Sequence, residues 1–388
     1  MSGLKDKAAV VGLGATEFSK NSGRSELQLA IECILAALAD AGIPPAEVDG
    51  LCTFTYDNNL EQEVFRAIGG RDLTFFTRVP AGGGGACGPL MQAAMAVATG
   101  VAKVVVCYRA MNERSGFRFG APMQGAEPNS DNLVKAYHAF AGLYTPAAYM
   151  ALAMRRYMHE TGATGDDFAN YALAARRHAA TNPNAFFYRR PLTREAYHAS
   201  RMIADPFRLF DCCQESDGGI AFVVTSAERA RDLRQKSVLI RAASQASFQG
   251  QLLMGSYYGA DICLREECAL AARQLYAAAA LGPTDIQVAI IYDHFGPAVL
   301  PALEGYGFCG RSEAKDFIKG GNIELGGSLP VNTHGGQLGE AYIHGMNGVA
   351  EAVRQLRGAA VNQAPAVSNV LVTAGNGVPT SAAILGVE

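Results

Sequence analysis

The chain has 388 residues, with 33 Lys and Arg against 36 Asp and Glu, so a net charge of −3 and a pI near 6.2 leave no broad basic surface for a phosphate backbone. With 49% hydrophobic and 18% charged residues it is too apolar to remain disordered, yet no apolar stretch approaches the ~20 residues of a membrane helix. Nucleic acid and a membrane span are thereby excluded as expectations. Residues 1–7 contain no apolar signal core, and the nine cysteines are odd in number, scattered and without a CxxC pair. A reducing, cytoplasmic setting with neither disulfides nor a metal site is expected.

In chain order, Ala8 to Gly12 reads as a strand. Apolar residues at 27, 30, 31, 34, 35 and 38 then predict a helix over 26–41, ended by Gly42 and by Pro44-Pro45. An extended pattern follows over 48–54. Gly82 to Gly85 leads into an Ala-rich helix at about 86–99, closed by Gly100 before a strand over 102–107. Residues 111–216, with helices over 145–160 and 166–181, are too long for a turn and are expected to be an insertion that covers a site.

The early order then returns: strand 237–243, helix 266–280, strand 288–292, a helix led by Gly335-Gly336 and ending near Gly358, and a last strand over 370–373. Matching Pro45 to Pro283 sets an offset of 238 residues. The expectation is a duplicated α/β chain with halves at 1–235 and 236–388. Its site should lie where the loops at 81–86, 292–297, 332–342 and 373–377 converge, at helix N-termini that favour developing negative charge.

Gly12-Leu13-Gly14 follows the first strand, but the third position of a dinucleotide fingerprint is Glu17. No GxxxxGK[ST] loop, HExxH motif or GxSxG elbow occurs, which removes P-loop phosphoryl transfer, zincin chemistry and the ordinary serine-hydrolase arrangement. Four segments instead occur together: Gly82-Gly83-Gly84-Gly85, Ser216-Asp217-Gly218-Gly219, Tyr292-Asp293-His294-Phe295 and Asn332-Thr333-His334-Gly335-Gly336. In that order the chain resembles the sterol-carrier and lipid-transfer thiolase-like branch of the thiolase superfamily over nearly its whole length. The resemblance implies a five-layered α-β-α-β-α sandwich, usually dimeric.

Against the thiolase pattern the nucleophilic cysteine falls on Gly83, the second cysteine on Thr373 before Ala374-Gly375-Asn376-Gly377, the Gly-His-Pro histidine on Tyr342, and the Asn of Asn-Glu-Ala-Phe on Tyr292. Thioester exchange through an acyl-enzyme needs a nucleophile and a base, and neither position supplies one. Cys87, one turn beyond Gly83, is either a displaced nucleophile or a small buried core residue, the commoner fate of a free cysteine. Cys212-Cys213 takes the same structural reading.

A retro-aldol cleavage of a β-hydroxyacyl-CoA needs no nucleophile. It needs a base for the β-hydroxyl, donors for the enolate oxygen and an acid for Cα. A tyrosine in place of the histidine, with Tyr-Asp-x-Phe and Asn-Thr-His-Gly-Gly, resembles the steroid side-chain-cleaving aldolases. That resemblance implies cleavage of a 17-hydroxy steroid acyl-CoA to a 17-keto steroid and propionyl-CoA or acetyl-CoA, no cofactor beyond the substrate's own CoA, a homodimer and an OB-fold, zinc-binding companion subunit. It implies Tyr292 and Tyr342 as catalytic residues, with Tyr342 at the start of a helix whose field favours phenolate and His294 and His334 as donors. Gly83, Asp293, Asn332, Gly375 and Asn376 are the implied substrate-contacting positions. Most of the 15 tyrosines are packing residues on any reading. Asp293 serves equally to fix a loop, Tyr257-Tyr258 either lines an acyl pocket or lies on the surface, and His344 is expected to point away from Tyr342. A thiolase using Cys87 and a noncatalytic acyl-CoA carrier are the alternatives.

Overall fold

The computed structural model describes residues 2–80, 82–120, 133–249, 257, 259, 261–376 and 380–388. Its strands are β1 (Ala8–Ala15), β2 (Gly50–Phe54), β3 (Phe75–Val79), β4 (Val105–Asn112), β5 (Met202–Ala204), β6 (Phe207–Arg208), β7 (Asp217–Ser226), β8 (Val238–Ala246), β9 (Val288–Ile290), β10 (Asn369–Ala374) and β11 (Thr380–Gly386). Apart from the β5-β6 hairpin they form one sheet in the order β3-β2-β4-β7-β1-β8-β11-β10-β9. β1 meets β8 through only two residue pairs, Ala9 with Leu239 and Val10 with Val238. From that seam the order outward is matched on the two sides, and a parallel bridge between Ala289 and Val331 stands beyond β9 where β3 stands beyond β2.

The helices sort into layers around this seam. Glu26–Ala41 packs on one face of β1, β4 and β7, and Arg265–Ala279 on a face of β8 and β11. Gly88–Ala98 and Met346–Arg357 each touch strands of both groups, so they fill the space between the two half-sheets. Three apolar clusters separate the layers, the central one built around these two inner helices. This is the expected α-β-α-β-α arrangement. The 238-residue offset carries the 3₁₀ turn Pro45–Glu47 onto Pro283–Asp285 and Gly50 of β2 onto Val288 of β9.

Local chemistry explains the well-placed elements. Ser25 caps its helix by accepting from the Gln28 N–H, and Gly42 ends it at φ 72°. A Cβ on Gly12 would collide with the Ala37 carbonyl and one on Gly14 with the Cys33 carbonyl. The Gly-x-Gly therefore lets β1 lie against this helix and has nothing to do with a dinucleotide.

Three expectations are corrected. The chain does not end on the strand at 370: β11 follows it, antiparallel to both β10 and β8. β3 and β7 also escaped the pattern reading. The helix expected from Gly335 to Gly358 is two: Gly336–Gly339 ends at Glu340, and Met346–Arg357 begins anew after His344 and Gly345, which take left-handed backbone at φ 49° and 89°. Tyr342 thus lies in a non-helical connection.

Candidate active site

The site forms beyond the carboxyl ends of parallel strands, the usual place in α/β sheets. Tyr292 follows β9, and its backbone N–H donates to Thr373 Oγ1 of β10 at 2.9 Å. The Asn376 amide donates to the Ala298 carbonyl at 2.9 Å and the Tyr292 carbonyl at 3.5 Å. Residues 212–216 pin the loops from the other side: Cys213 N–H donates to the His294 carbonyl, Gln214 N–H to the Gln337 carbonyl, and Glu215 bridges Tyr342. The Tyr342 N–H donates to Ser216 Oγ at 3.2 Å. Next in chain, Asp217 accepts from the backbone N–H groups of Ser22, Arg114 and Ser115, so this part of the Ser-Asp-Gly-Gly motif anchors backbone.

The two phenol oxygens are 3.0 Å apart, in a hydrogen bond that either can donate. Both residues are buried, at 4% and 8% exposure. A Cβ built on Gly83 would collide with the Tyr292 hydroxyl and lie 3.4 Å from that of Tyr342. The space of a side chain at position 83 is thus filled by the phenol pair, which accounts physically for the glycine.

The expected helix field does not reach Tyr342, which lies four residues before Met346, and burial pushes both phenols well above their usual range. The helix field expected to favour phenolate is thus absent and burial disfavours it on both rings, so what the pair offers is a proton path between two hydroxyls.

The other expected residues divide. The His294 ring lies 4.9 Å from that of Tyr292, neither ring nitrogen has a protein partner, and burial lowers its pKa to about 3. It is a neutral imidazole with an unused N–H. His334, also lowered to about 3 by burial, is instead placed against Glu340 (4.0 Å). Asp293 accepts from Tyr171 Oη (2.7 Å) and Gln337 N–H (2.8 Å), with burial raising its pKa to about 6. Asn332 is fully buried at φ 51°; its side chain accepts from Ile291 N–H and donates to the Ile291 carbonyl and Tyr171 Oη. Asp293 and Asn332 hold the loops that carry the tyrosines. Asn376 does the same for Tyr292, while Gly375 turns the chain at φ 78°. Tyr257 donates to the Tyr149 carbonyl at 3.0 Å and packs on His138, in a group separate from the tyrosine pair. Tyr258 and Gly377 lie outside the described residues.

Cys87 is fully buried, its Sγ 3.7 Å from the Val372 carbonyl, and burial pushes its thiol up to about 12. A nucleophile needs the opposite environment. Cys87→Ser is expected to keep most turnover at a cost of about 1 kcal/mol for a buried polar swap; a folded variant reduced to background would restore the thiolase alternative.

Three groups near the pair were not found from sequence. His344 does not point away: its ring is 5.1 Å from that of Tyr342 because the connection is not helical. Arg109 on β4 is fully buried, 3.6 Å from Asp57, with no hydrogen bond from its guanidinium. An arginine within the run Val104 to Met111 was the available signal. Glu113, just past β4, is raised to about 9 by burial and by the neighbouring Glu215. Because its folded pKa exceeds its unfolded one, the native state binds the extra proton between those values, and stability falls as pH rises toward 9. Glu113→Gln should flatten that fall, read as urea midpoints at pH 6 and 9; equal falls in both proteins would contradict it.

Among the described residues, Glu160, Asp261 and Cys263 bring three potential metal ligands within 4.8 Å. Arg265 already donates to both carboxylates, at 2.6 and 3.0 Å, so the group is an ion-pair network.

Comparison with known proteins agrees with this fold. The thiolase C-terminal domain-like family matches residues 257–387. A steroid side-chain-cleaving aldolase of Thermomonospora curvata is 59% identical, with all of both chains covered. The 17-hydroxy-3-oxo-4-pregnene-20-carboxyl-CoA lyase of Mycobacterium tuberculosis is 58% identical over 99% of this chain and 100% of its own. The solved Ltp2-ChsH2(DUF35) aldolase superposes with a TM-score of 0.95 at 59% identity, covering 99% of this chain and 98% of that one. Human mitochondrial 3-ketoacyl-CoA thiolase, 14% identical and covering 99% of each chain, shares the fold with a TM-score of 0.70.

Proposed function

This chain belongs to the steroid side-chain-cleaving aldolases of the thiolase superfamily and is a carbon-carbon lyase acting on a CoA thioester, and we propose that it breaks its substrate by passing one proton through the Tyr292–Tyr342 pair. The substrate is a 17-hydroxy steroid side-chain CoA thioester, and the products are a 17-keto steroid and propionyl-CoA. The single observation that carries the mechanism is the 3.0 Å contact between two buried phenols in the space of a missing side chain.

The proton balance suits neutral phenols. As the β-hydroxyl gives its proton to one phenol oxygen, that phenol releases its own to the other. The electrons of the Cα–Cβ bond move onto the thioester carbonyl, where the unused His294 N–H is available to the enolate oxygen. In the same concerted movement the second phenol gives its own proton to Cα as those electrons return, so neither oxygen ever carries two protons. No proton is consumed and no phenolate accumulates, so burial does not obstruct the reaction. The chemistry as written draws on no cofactor beyond the substrate's CoA. In D₂O the released propionyl-CoA should carry one deuterium at Cα; propionyl-CoA without it would sink the relay.

The same reading includes a homodimer and a companion subunit. β3 is an edge strand with Phe76 52% exposed, which suits pairing with a second copy across a two-fold axis. The companion is supported by the named pair in the solved relative; an OB fold and bound zinc are the expectation for it. Light scattering should show two copies of this chain per particle, and an active monomer at micromolar concentration would contradict that. All nine cysteines are free, in keeping with a cytoplasmic place, and no helix among the described residues is long and apolar enough to cross a membrane.

A further inference from the structure

Beside the tyrosine pair, aromatic side chains form a continuous path to the surface. The His344 ring stands 5.1 Å from Tyr342, Phe119 stands 4.7 Å from His344, and Phe117 and Tyr56 each stand 5.4 Å from Phe119. Exposure rises outward, from 3% at His344 to 50% at Tyr56 and 72% at Phe117. Tyr56 also lies against the glycine turn of the reaction centre, since a Cβ on Gly82 would sit 3.0 Å from its ring.

Two features mark this wall as built. Tyr56 and His344 hold left-handed backbone at φ 74° and 49°, uncommon for residues other than glycine. His344 Nδ1 is buried without a protein partner. Exposed rings that pack edge-to-face without covering one another are suited to a flat, rigid, apolar ligand.

We propose that the path His344, Phe119, Tyr56 and Phe117 is the subsite for the fused-ring nucleus of the substrate. The assignment rests on the aldolase reading and deepens it. In a 17-hydroxy steroid thioester the carbon bearing the β-hydroxyl is itself a ring carbon. The ring system must therefore begin at the phenols and run along whatever wall adjoins them, while the CoA arm leaves from the other side of the broken bond.

The test uses the chain with its companion subunit and two ligands that separate these halves: a 17-keto steroid and propionyl-CoA. Phe119→Ala and Val101→Ala, the latter at an exposed position outside the wall, are compared with wild type by equilibrium binding, with circular dichroism confirming the fold. Phe119→Ala should weaken the keto steroid at least tenfold and leave propionyl-CoA within about twofold; Val101→Ala, beyond the far end of the helix Gly88–Ala98 from the glycine turn, should bind both as wild type. Equal weakening of the two ligands by Phe119→Ala, or no weakening of either, would overturn the subsite. Wild-type protein that binds the keto steroid but does not cleave the thioester would count against the aldolase reading while leaving the ring wall standing, whereas wild type with no affinity for the steroid would overturn the wall itself.

Discussion

Tyr342→Phe and Tyr292→Phe should each fold normally and lose roughly 10²-fold or more in turnover, the scale of an acid-base group. Phenylalanine keeps the buried ring and deletes only the oxygen, and with it one half of the 3.0 Å contact. In a relay neither phenol works alone, because a lone neutral hydroxyl has nowhere to send its proton as it accepts one. The double variant should therefore be little slower than either single variant. Multiplied effects would mean two independent roles. Wild-type rates in both single variants would reopen the carrier and Cys87 alternatives.

The second large effect is expected at Gly83. One added methyl meets the Tyr292 hydroxyl at a distance no structure tolerates, and the ring is fully packed with Gly345 on its other edge. Gly83→Ala should cost about 1–3 kcal/mol by overpacking and about 10²-fold in turnover, since displacing the ring breaks the contact with Tyr342. The clash is chiefly with the oxygen, so the stability cost should shrink in a Tyr292→Phe background. An additive double-mutant cycle by urea denaturation would show that the hydroxyl does not occupy that space.

What the sequence showed and what it withheld follow from where the information lies. The duplicated layers were legible because helix periodicity and the Pro45–Pro283 match are local signals. The convergence of four loops was legible because glycine-led turns at the ends of parallel strands have few places to go. The connection over 340–345 was not: Glu-Ala-Tyr-Ile continues a helical pattern in sequence, yet the helix ends after Gly339 and the next starts only beyond the left-handed His344 and Gly345. That one break moved Tyr342 out of a helix field and brought His344 to its side. The split among the polar candidates was also invisible. Asp293 and Asn332 look like ligand-binding groups in a motif, yet each is occupied by Tyr171 and nearby backbone groups. Glu113 is buried beside Glu215 only after β4 and the 212–216 segment have packed.

The central claim is cleavage without a covalent enzyme intermediate, and the products report on it most directly. The purified chain, with its companion, is incubated with a 17-hydroxy steroid side-chain CoA thioester in the absence of added CoA, and products and protein are read by mass spectrometry. The account predicts equal amounts of free 17-keto steroid and propionyl-CoA, with unmodified protein throughout. Cleavage that waits for added CoA, or an acyl group found on a cysteine, would contradict it.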